Sequence, residues 1–389
     1  MKEIAGCEVC GTQQLSSVLD LGAHPLCDDL VPIGSARICK EYPIEILFCD
    51  TCYTAHQRFQ VPKQELFQKD YHYRARVTGS VLLGMSGLVD SCEKRFGSLT
   101  GKHVLDVGCN DGSLLDFFKA KGAKTVGVEP TGAAADSKHQ TINAFFDGAV
   151  AAQILETVGT QDFITFTNVF AHIENLPELL ASVKMLMNDK TVVVIENHYL
   201  GDVLRGGQFD TFYHEHPRTY SRRSFEYIAR SLGVDLLDVE FVSRYGGNIR
   251  VFLGHGEVNR VVADESQFNQ RFKAMAAEIE SWRAATKGSI EKHVQQHGKL
   301  RAKAFPGRAA ILLKLLGLTE EHISAVYEIK GSIKVGHYVP GTRIPIMPEV
   351  ELYAQDMTEP ILNLAWHIPA EVRANLISHN YTGKVIDVK

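Results

Sequence analysis

Two CxxC knuckles, Cys7-Glu8-Val9-Cys10 and Cys49-Asp50-Thr51-Cys52, stand 38 residues apart near the start of a 389-residue chain. Each knuckle presents two thiolates from one tight turn, and two knuckles together fill the tetrahedron that zinc prefers. With sulfur at all four positions and none left open for substrate, Cys7, Cys10, Cys49 and Cys52 are expected to hold a structural Zn2+. The intervening stretch is long for a short zinc ribbon, so it must carry a small fold of its own. His24 and His56 lie nearby in the sequence, but four cysteines leave no place for them as ligands. The alternative is a set of redox or unmetallated thiols. Cys27, Cys39, Cys92 and Cys109 lack such spacing and read as small core or loop thiols. Met1 to Cys7 carries no apolar export stretch, which favours metal ligation over a disulfide framework.

Downstream, the pattern changes to strands alternating with helices. His103–Val107, Thr125–Val128, Phe163–Thr167 and Thr191–Glu196 are apolar runs of strand length. Leu176, Leu179, Leu180, Val183 and Leu186 recur at helical spacing between the last two. Apolar strands alternating with amphipathic helices imply an α/β fold, a parallel sheet covered on both faces. A long helical stretch follows from Phe268 to Gln296. Beyond it, Ala309–Leu316 reads as a helix closed by Gly317, and Ile323–Ile329 as a strand, which together make a second, smaller α/β unit. The expected division is 1–75, 76–255 and 256–389.

The first strand of the alternation ends in Val104-Leu105-Asp106-Val107-Gly108-Cys109-Asn110-Asp111-Gly112, a glycine-rich turn leading into a helix. Glycine lets such a turn close tightly and lets a ligand approach the backbone. The spacing is not GxGxxG, and no Lys-Ser/Thr pair follows, so pyrophosphate cradling is unsupported. Asp106 and Glu129 close successive strands. Glu129 is placed to accept hydrogen bonds from ribose hydroxyls, and Asp106 to face a cationic amino-acid moiety. Carboxylates without phosphate-binding residues suit S-adenosylmethionine better than a dinucleotide. Gly108, Asn110 and Gly112 are the backbone positions of that site.

Phe209-Asp210-Thr211-Phe212-Tyr213-His214-Glu215-His216 crowds a tyrosine, two imidazoles and two carboxylates into eight positions. Its poor apolar periodicity indicates a loop. Histidine titrates near neutrality and a neighbouring carboxylate orients it, the ingredients of acid/base chemistry. The spacing is not that of a zinc protease, and a hydrogen-bonded surface loop is the plainer alternative. Asn168 and His172, four residues apart where a strand gives way to a helix, are expected on one face.

These motifs, together with Asp70-Tyr71-His72-Tyr73-Arg74, Tyr245-Gly246-Gly247-Asn248-Ile249-Arg250 and Tyr338-Val339-Pro340-Gly341-Thr342-Arg343-Ile344-Pro345, run through nearly the whole chain in one order. In this the chain resembles the sugar C-methyltransferases that act on nucleotide-linked keto-deoxysugars, the family of the tetronitrose C-3″ methyltransferase. The resemblance implies a zinc-binding domain, an S-adenosylmethionine-dependent methyltransferase domain with a Rossmann-like sheet, and a C-terminal Rossmann-like domain that helps enclose substrate. It implies a base that removes the proton beside a sugar ketone, giving an enolate for methylation. By that resemblance His216 is the base. Glu215 and Tyr213 orient it or handle the ketone oxygen, and Asn168 and His172 line the pocket. Tyr71, Tyr73 and Asn168 adjoin the cofactor.

Two stretches depart from the family pattern. Lys303-Ala304-Phe305-Pro306-Gly307-Arg308-Ala309 replaces a glycine-rich turn, and Pro217-Arg218-Thr219-Tyr220-Ser221 follows His216 where an aromatic-containing run is usual. Both suggest an altered sugar or carrier. A net charge of −5 and the lack of a basic run argue against nucleic acid as a partner. The apolar runs are too short to span a bilayer. A cytoplasmic monomer is the simplest expectation, with an O- or N-methyltransferase as the nearest rival activity and a zinc-containing nucleic-acid-binding protein as the rival from another class.

Overall fold

The computed structural model describes residues 1–66, 74–77 and 79–389. They divide into two compact units, each assembled from separated stretches. One comprises 1–16, 47–206 and 215–268; the other comprises 17–46, 207–214 and 269–389.

In the first unit the second knuckle leads into a short strand, β1 (Thr54–Gln57). Five parallel strands follow: β2 (His103–Val107), β3 (Lys124–Val128), β4 (Gln140–Ile142), β5 (Phe163–Thr167) and β6 (Val192–His198). β7 (Arg218–Thr219) pairs antiparallel with β1, setting Arg218 opposite His56. β8 (Asp235–Val242) and β9 (Asn248–Gly254) complete the main sheet, in the order β8-β9-β6-β5-β2-β3-β4. β9 runs antiparallel to both of its neighbours. Strand order reverses between β2 and β5, and in open parallel sheets the crevice at that reversal, outside the carboxyl ends of the strands, is where ligands bind.

Helices α1 (Gly79–Phe96) and α2 (Ser113–Ala120) cover one face. Val81, Met85, Leu88, Val89 and Cys92 pack there with Leu114, Leu115 and Phe118 over Val104, Phe163, Val194 and Phe252. Three further helices, α3 (Gly148–Thr157), α4 (Leu176–Leu186) and α5 (Arg222–Leu232), belong to the same unit. The termini of α5 are closed by local chemistry. Ser221 and Ser224 form a reciprocal capping box at its start, and Gly233, at φ 80°, terminates it in the left-handed conformation that glycine adopts without Cβ strain.

In the second unit the long helix α6 (Phe268–His297) leads to β10 (Leu300–Lys303), α7 (Ala309–Leu316) and β11 (Ile323–Glu328). With β12 (Ile346–Pro348), β13 (Ile361–Asn363) and β14 (Val385–Asp387) these strands form an all-parallel sheet, ordered β12-β11-β10-β13-β14. The chain thus contains one mostly parallel sheet, interrupted by antiparallel β9, and one all-parallel sheet, within the α/β class its alternation predicts. Among the described residues no helix is long and apolar enough to cross a membrane.

Candidate active site and metal centre

The four knuckle cysteines converge. Their sulfurs all lie within 4.8 Å of one another, with Cys7 and Cys52 3.4 Å apart and Cys10 and Cys49 3.5 Å apart. Tetrahedral thiolates at about 2.3 Å from zinc stand about 3.8 Å from each other, so the cluster has the dimensions of a four-sulfur zinc site. The Cys10 backbone N–H donates to the Cys7 sulfur at 3.4 Å, which suits a ligand carrying negative charge. Hydrogen bonds from the Cys52 and Cys7 thiols drive Cys49 toward the thiolate. No disulfide competes, because all eight cysteines are free. Cys27, Cys39, Cys92 and Cys109 are buried away from this cluster, as core or loop thiols.

The glycine-rich turn closes on backbone that few side chains tolerate. Gly108 and Gly112 have φ of 72° and 79°, and Asn110 between them has φ of 51°. A Cβ at Gly108 would fall 2.5 Å from Val169, so the bare glycine lets the turn after β2 nest against the turn after β5. Glu129, at the end of β3, is buried, and both of its oxygens are engaged. One accepts the Asn110 backbone N–H at 2.9 Å; the other accepts the Thr131 N–H and hydroxyl at 2.9 and 2.6 Å. Its carboxylate therefore holds the turn in shape. Asp106 is buried, and the Thr165 hydroxyl donates to it at 2.7 Å. Burial pushes its carboxyl up to about 7, against that hydrogen bond. At β5, the buried Thr167 hydroxyl has no hydrogen-bond partner. Two carboxylates and an unpaired hydroxyl suit an adenosine bearing a cationic amino acid.

Tyr71 and Tyr73 lie outside the described residues. The residues that follow them are tied to the same turn. The Ala75 N–H donates to the Asn110 side chain at 3.0 Å, and Arg76 donates to Asp111 from its backbone at 3.0 Å and its guanidinium at 2.9 Å.

The chemistry-bearing cluster forms at the carboxyl ends of β5 and β6. Asn168 adopts φ of 55° and its N–H donates to the Glu196 carbonyl at 2.7 Å. A tight 3-10 turn over Phe170–His172 then brings His172 round. Asn168 and His172 meet through this turn, where spacing alone suggests one face of a helix; the left-handed residue at 168 breaks helical continuity before it starts. His172 is held neutral, its pKa lowered to about 4 by burial, with backbone groups of Glu215 and Asn168 opposing. Its Nδ1 lies 3.9 Å from a Glu215 carboxylate oxygen. The His216 ring stands edge-on to it, centroids 4.8 Å apart, and the His198 ring lies 5.3 Å from His216 on the other side. Sequence reasoning does not single out His198. The signal is there, however: Glu196-Asn197-His198 are the polar residues at the carboxyl edge of an apolar strand.

A buried ionic network stands behind the cluster. Glu196, fully buried, pairs with Arg250 at 2.8 Å and Arg244 at 3.1 Å. The Asn248 amide bridges it to Asn168, donating at 3.3 and 3.0 Å. The motif Tyr245–Arg250 thus acts through Asn248 and Arg250 as scaffolding for Asn168.

Asn168, His172, Glu215 and His216 come together in the first unit, whereas Tyr213 and His214 belong to the second. There the His214 Nε2 lies 3.0 Å from the Tyr42 carbonyl, and its pKa is lowered to about 4 by burial. It has a structural role. The unusual turn after β10 is also filled by protein: Ala304 takes φ of 61°, Phe305 is buried, and its N–H donates to Glu328 at the end of β11.

Comparison with known proteins covers the same ground. Residues 7–67 match a family model of a zinc binding domain, 85–239 a methyltransferase domain, and 243–386 a C-methyltransferase C-terminal domain. The chain is 29% identical over 395 residues to the C-methyltransferase NovU of Streptomyces niveus, covering 96% of this chain and 93% of that relative. Among solved structures, magnesium protoporphyrin IX methyltransferase ChlM from Synechocystis PCC 6803 aligns with 45% of this chain and 84% of its own, at 15% identity and a TM-score of 0.35. The 1,6-didemethyltoxoflavin-N1-methyltransferase of Burkholderia thailandensis aligns with 52% of this chain and 96% of its own, at 11% identity and a TM-score of 0.37.

Proposed function

We propose that the chain is an S-adenosylmethionine-dependent C-methyltransferase with a zinc-binding segment, and that its acceptor is the carbon beside a ketone of a nucleotide-linked deoxy-ketosugar. Carbon methylation demands that an unreactive C–H first be made nucleophilic. The observation that carries this reading is the His172–His216 pair, two imidazoles in edge contact at the sheet's carboxyl edge with Glu215 beside them.

In this reading the His216 imidazole takes the α-proton, and the C–H bonding pair passes into the enolate with its charge on the ketone oxygen. His172, kept neutral by burial, places no competing positive charge beside His216. Glu215 orients the pair. Asn168, fixed by Asn248 and the Glu196 carbonyl, lies beside the pair. S-adenosylmethionine, held by Asp106, Glu129 and the Gly108–Gly112 turn, supplies an electrophilic methyl group on its sulfonium. A positioned base typically contributes a factor of ~10² to 10⁴, and alignment of the reacting carbon supplies much of the rest. Four-thiolate zinc is structural here, since no coordination position is left for substrate.

The test is incubation with S-adenosylmethionine and thymidine- or guanosine-linked 4-ketosugars deuterated beside the ketone. Gain of one methyl with loss of one carbon-bound deuterium is expected. A methyl on oxygen or nitrogen, with the deuterium retained, would sink the proposal.

A further inference from the structure

We propose that Arg218 is a positioning residue, through which the metal knuckles set the geometry of the His172–His216 pair. Arg218 is among the largest fully buried side chains of the protein, at 0% exposure. Its guanidinium reaches four partners from three parts of the first unit. It donates to the carboxylate of Glu8, which lies between the two cysteines of the first knuckle. It donates to the carbonyls of Ile173 and, at 3.1 Å, Glu174, the two residues that follow His172. It donates to the Tyr220 hydroxyl at 2.9 Å. Its own backbone stands two residues after His216. One planar fork therefore joins the knuckle, the turn carrying His172 and the strand that follows His216, an arrangement that five donors in a rigid plane allow and a single ammonium does not.

The second knuckle grips the same strand independently. The Gln57 N–H donates to the Pro217 carbonyl at 2.9 Å, and β1 pairs with β7 at Arg218 and Thr219. The Cys52 carbonyl accepts the Ser221 and Ser224 hydroxyls, each at 3.2 Å, and the Thr54 and Ser224 hydroxyls lie 2.8 Å apart. The stretch after His216 is thus bound to metal-ligand turns at both ends. Glu8 is held in turn by the Gln60 amide at 2.8 Å. A shift in the knuckles moves Glu8, then Arg218, then the carbonyls beside His172.

The experiment uses the full chain carrying Arg218→Met or Arg218→Lys, with histidines labelled at Cε1. His172 and His216 signals are assigned from His172→Gln and His216→Gln. Zinc content and S-adenosylmethionine affinity serve as controls and are expected to hold. The His172 and His216 signals should move in the ligand-free protein. The kcat should fall about 10²-fold, the size expected for misplacement of about 1 Å, with KM for the methyl donor unchanged. Lysine should not rescue. Unmoved signals in a folded, zinc-loaded variant, or full kcat in Arg218→Lys, would overturn the proposal. Should neither variant fold, Glu8→Gln keeps Arg218 and its other partners. It should shift the same two signals by less, and no shift would count against the proposal. The kinetic arm rests on the acid/base reading above; the spectroscopic arm does not. Moved signals with a fully active His216→Ala would therefore sink that reading and leave this one standing.

Discussion

The His172 ring stands edge-on against His216, centroids 4.8 Å apart and planes inclined by 63°. Residues 44 positions apart in sequence are brought together because both lie at the carboxyl edge of the main sheet. If His216 is the base, His216→Ala should lower kcat by a factor of ~10² to 10⁴ while leaving S-adenosylmethionine affinity unchanged. Steady-state kinetics with a ketosugar acceptor, paired with calorimetric titration of the cofactor, checks this. Full turnover in the variant removes His216 from the role.

Stability should fall in mild acid. His56 and His172 are held to pKa values of about 4 by burial, His56 also by the nearby Arg218 charge. Both folded values lie below the ordinary histidine value of about 6.5. Between about 6.5 and 4 the unfolded chain therefore binds more protons, and stability drops as pH falls through that window. Urea midpoints at pH 7 and pH 5 should differ accordingly, and His56→Leu should reduce the difference, leaving the share of His172.

Cofactor affinity should itself depend on pH. Burial raises the Asp106 carboxyl to about 7, so near neutrality much of it is protonated and unable to attract a cationic amino group. Affinity for S-adenosylmethionine should rise between pH 6 and pH 8. Asp106→Asn, which keeps the shape and the Thr165 contact, should weaken binding by about tenfold and abolish the dependence. Titration calorimetry at the two pH values reads both effects, and equal affinities would count against Asp106 as the anionic partner.

Removing Glu196 should cost far more stability than a surface carboxylate does. Glu196→Ala strands Arg244 and Arg250 in a buried site and cuts the amide bridge to Asn168. Breaking a buried pair from one side costs about 3–5 kcal/mol, measurable as a lowered urea midpoint. The residual folded protein should also show reduced kcat, because Asn168 loses its support.

Metal removal should act on stability before chemistry. Purified protein should carry about one zinc per chain, released on thiol modification. Cys49→Ser should lose the metal and melt at a lower temperature, since the knuckles then lack the ion that closes them. A variant that keeps its melting temperature without metal would argue for unmetallated thiols.

Much of the scaffold was legible from local pattern. The CxxC spacing required a four-sulfur cluster whatever the intervening fold, because two knuckles are short-range turns. Strand–helix alternation announced a parallel sheet and a second α/β unit, since strands covered on both faces must be apolar throughout, but not the antiparallel β9 within the main sheet. The positive φ of Gly108 and Gly112 was readable because a glycine-rich turn between a parallel strand and a helix calls for left-handed backbone. Tyr213, by contrast, sits in the same sequence cluster as His216 and yet belongs to the other compact unit. Adjacency along the chain does not say where a domain crossover falls.

What the sequence determined by itself was therefore whatever rests on periodicity and turn chemistry: the α/β class, the metal knuckles and the tight glycine turn after the first strand of the alternation. Tertiary structure alone decided that His198 joins His216, that Asn168 and His172 meet through a left-handed residue, and that Arg218 is a buried brace between knuckle and imidazoles. A single arginine carries no periodic signature. Its role exists only once burial has removed water and left a charged fork whose partners must come from the protein.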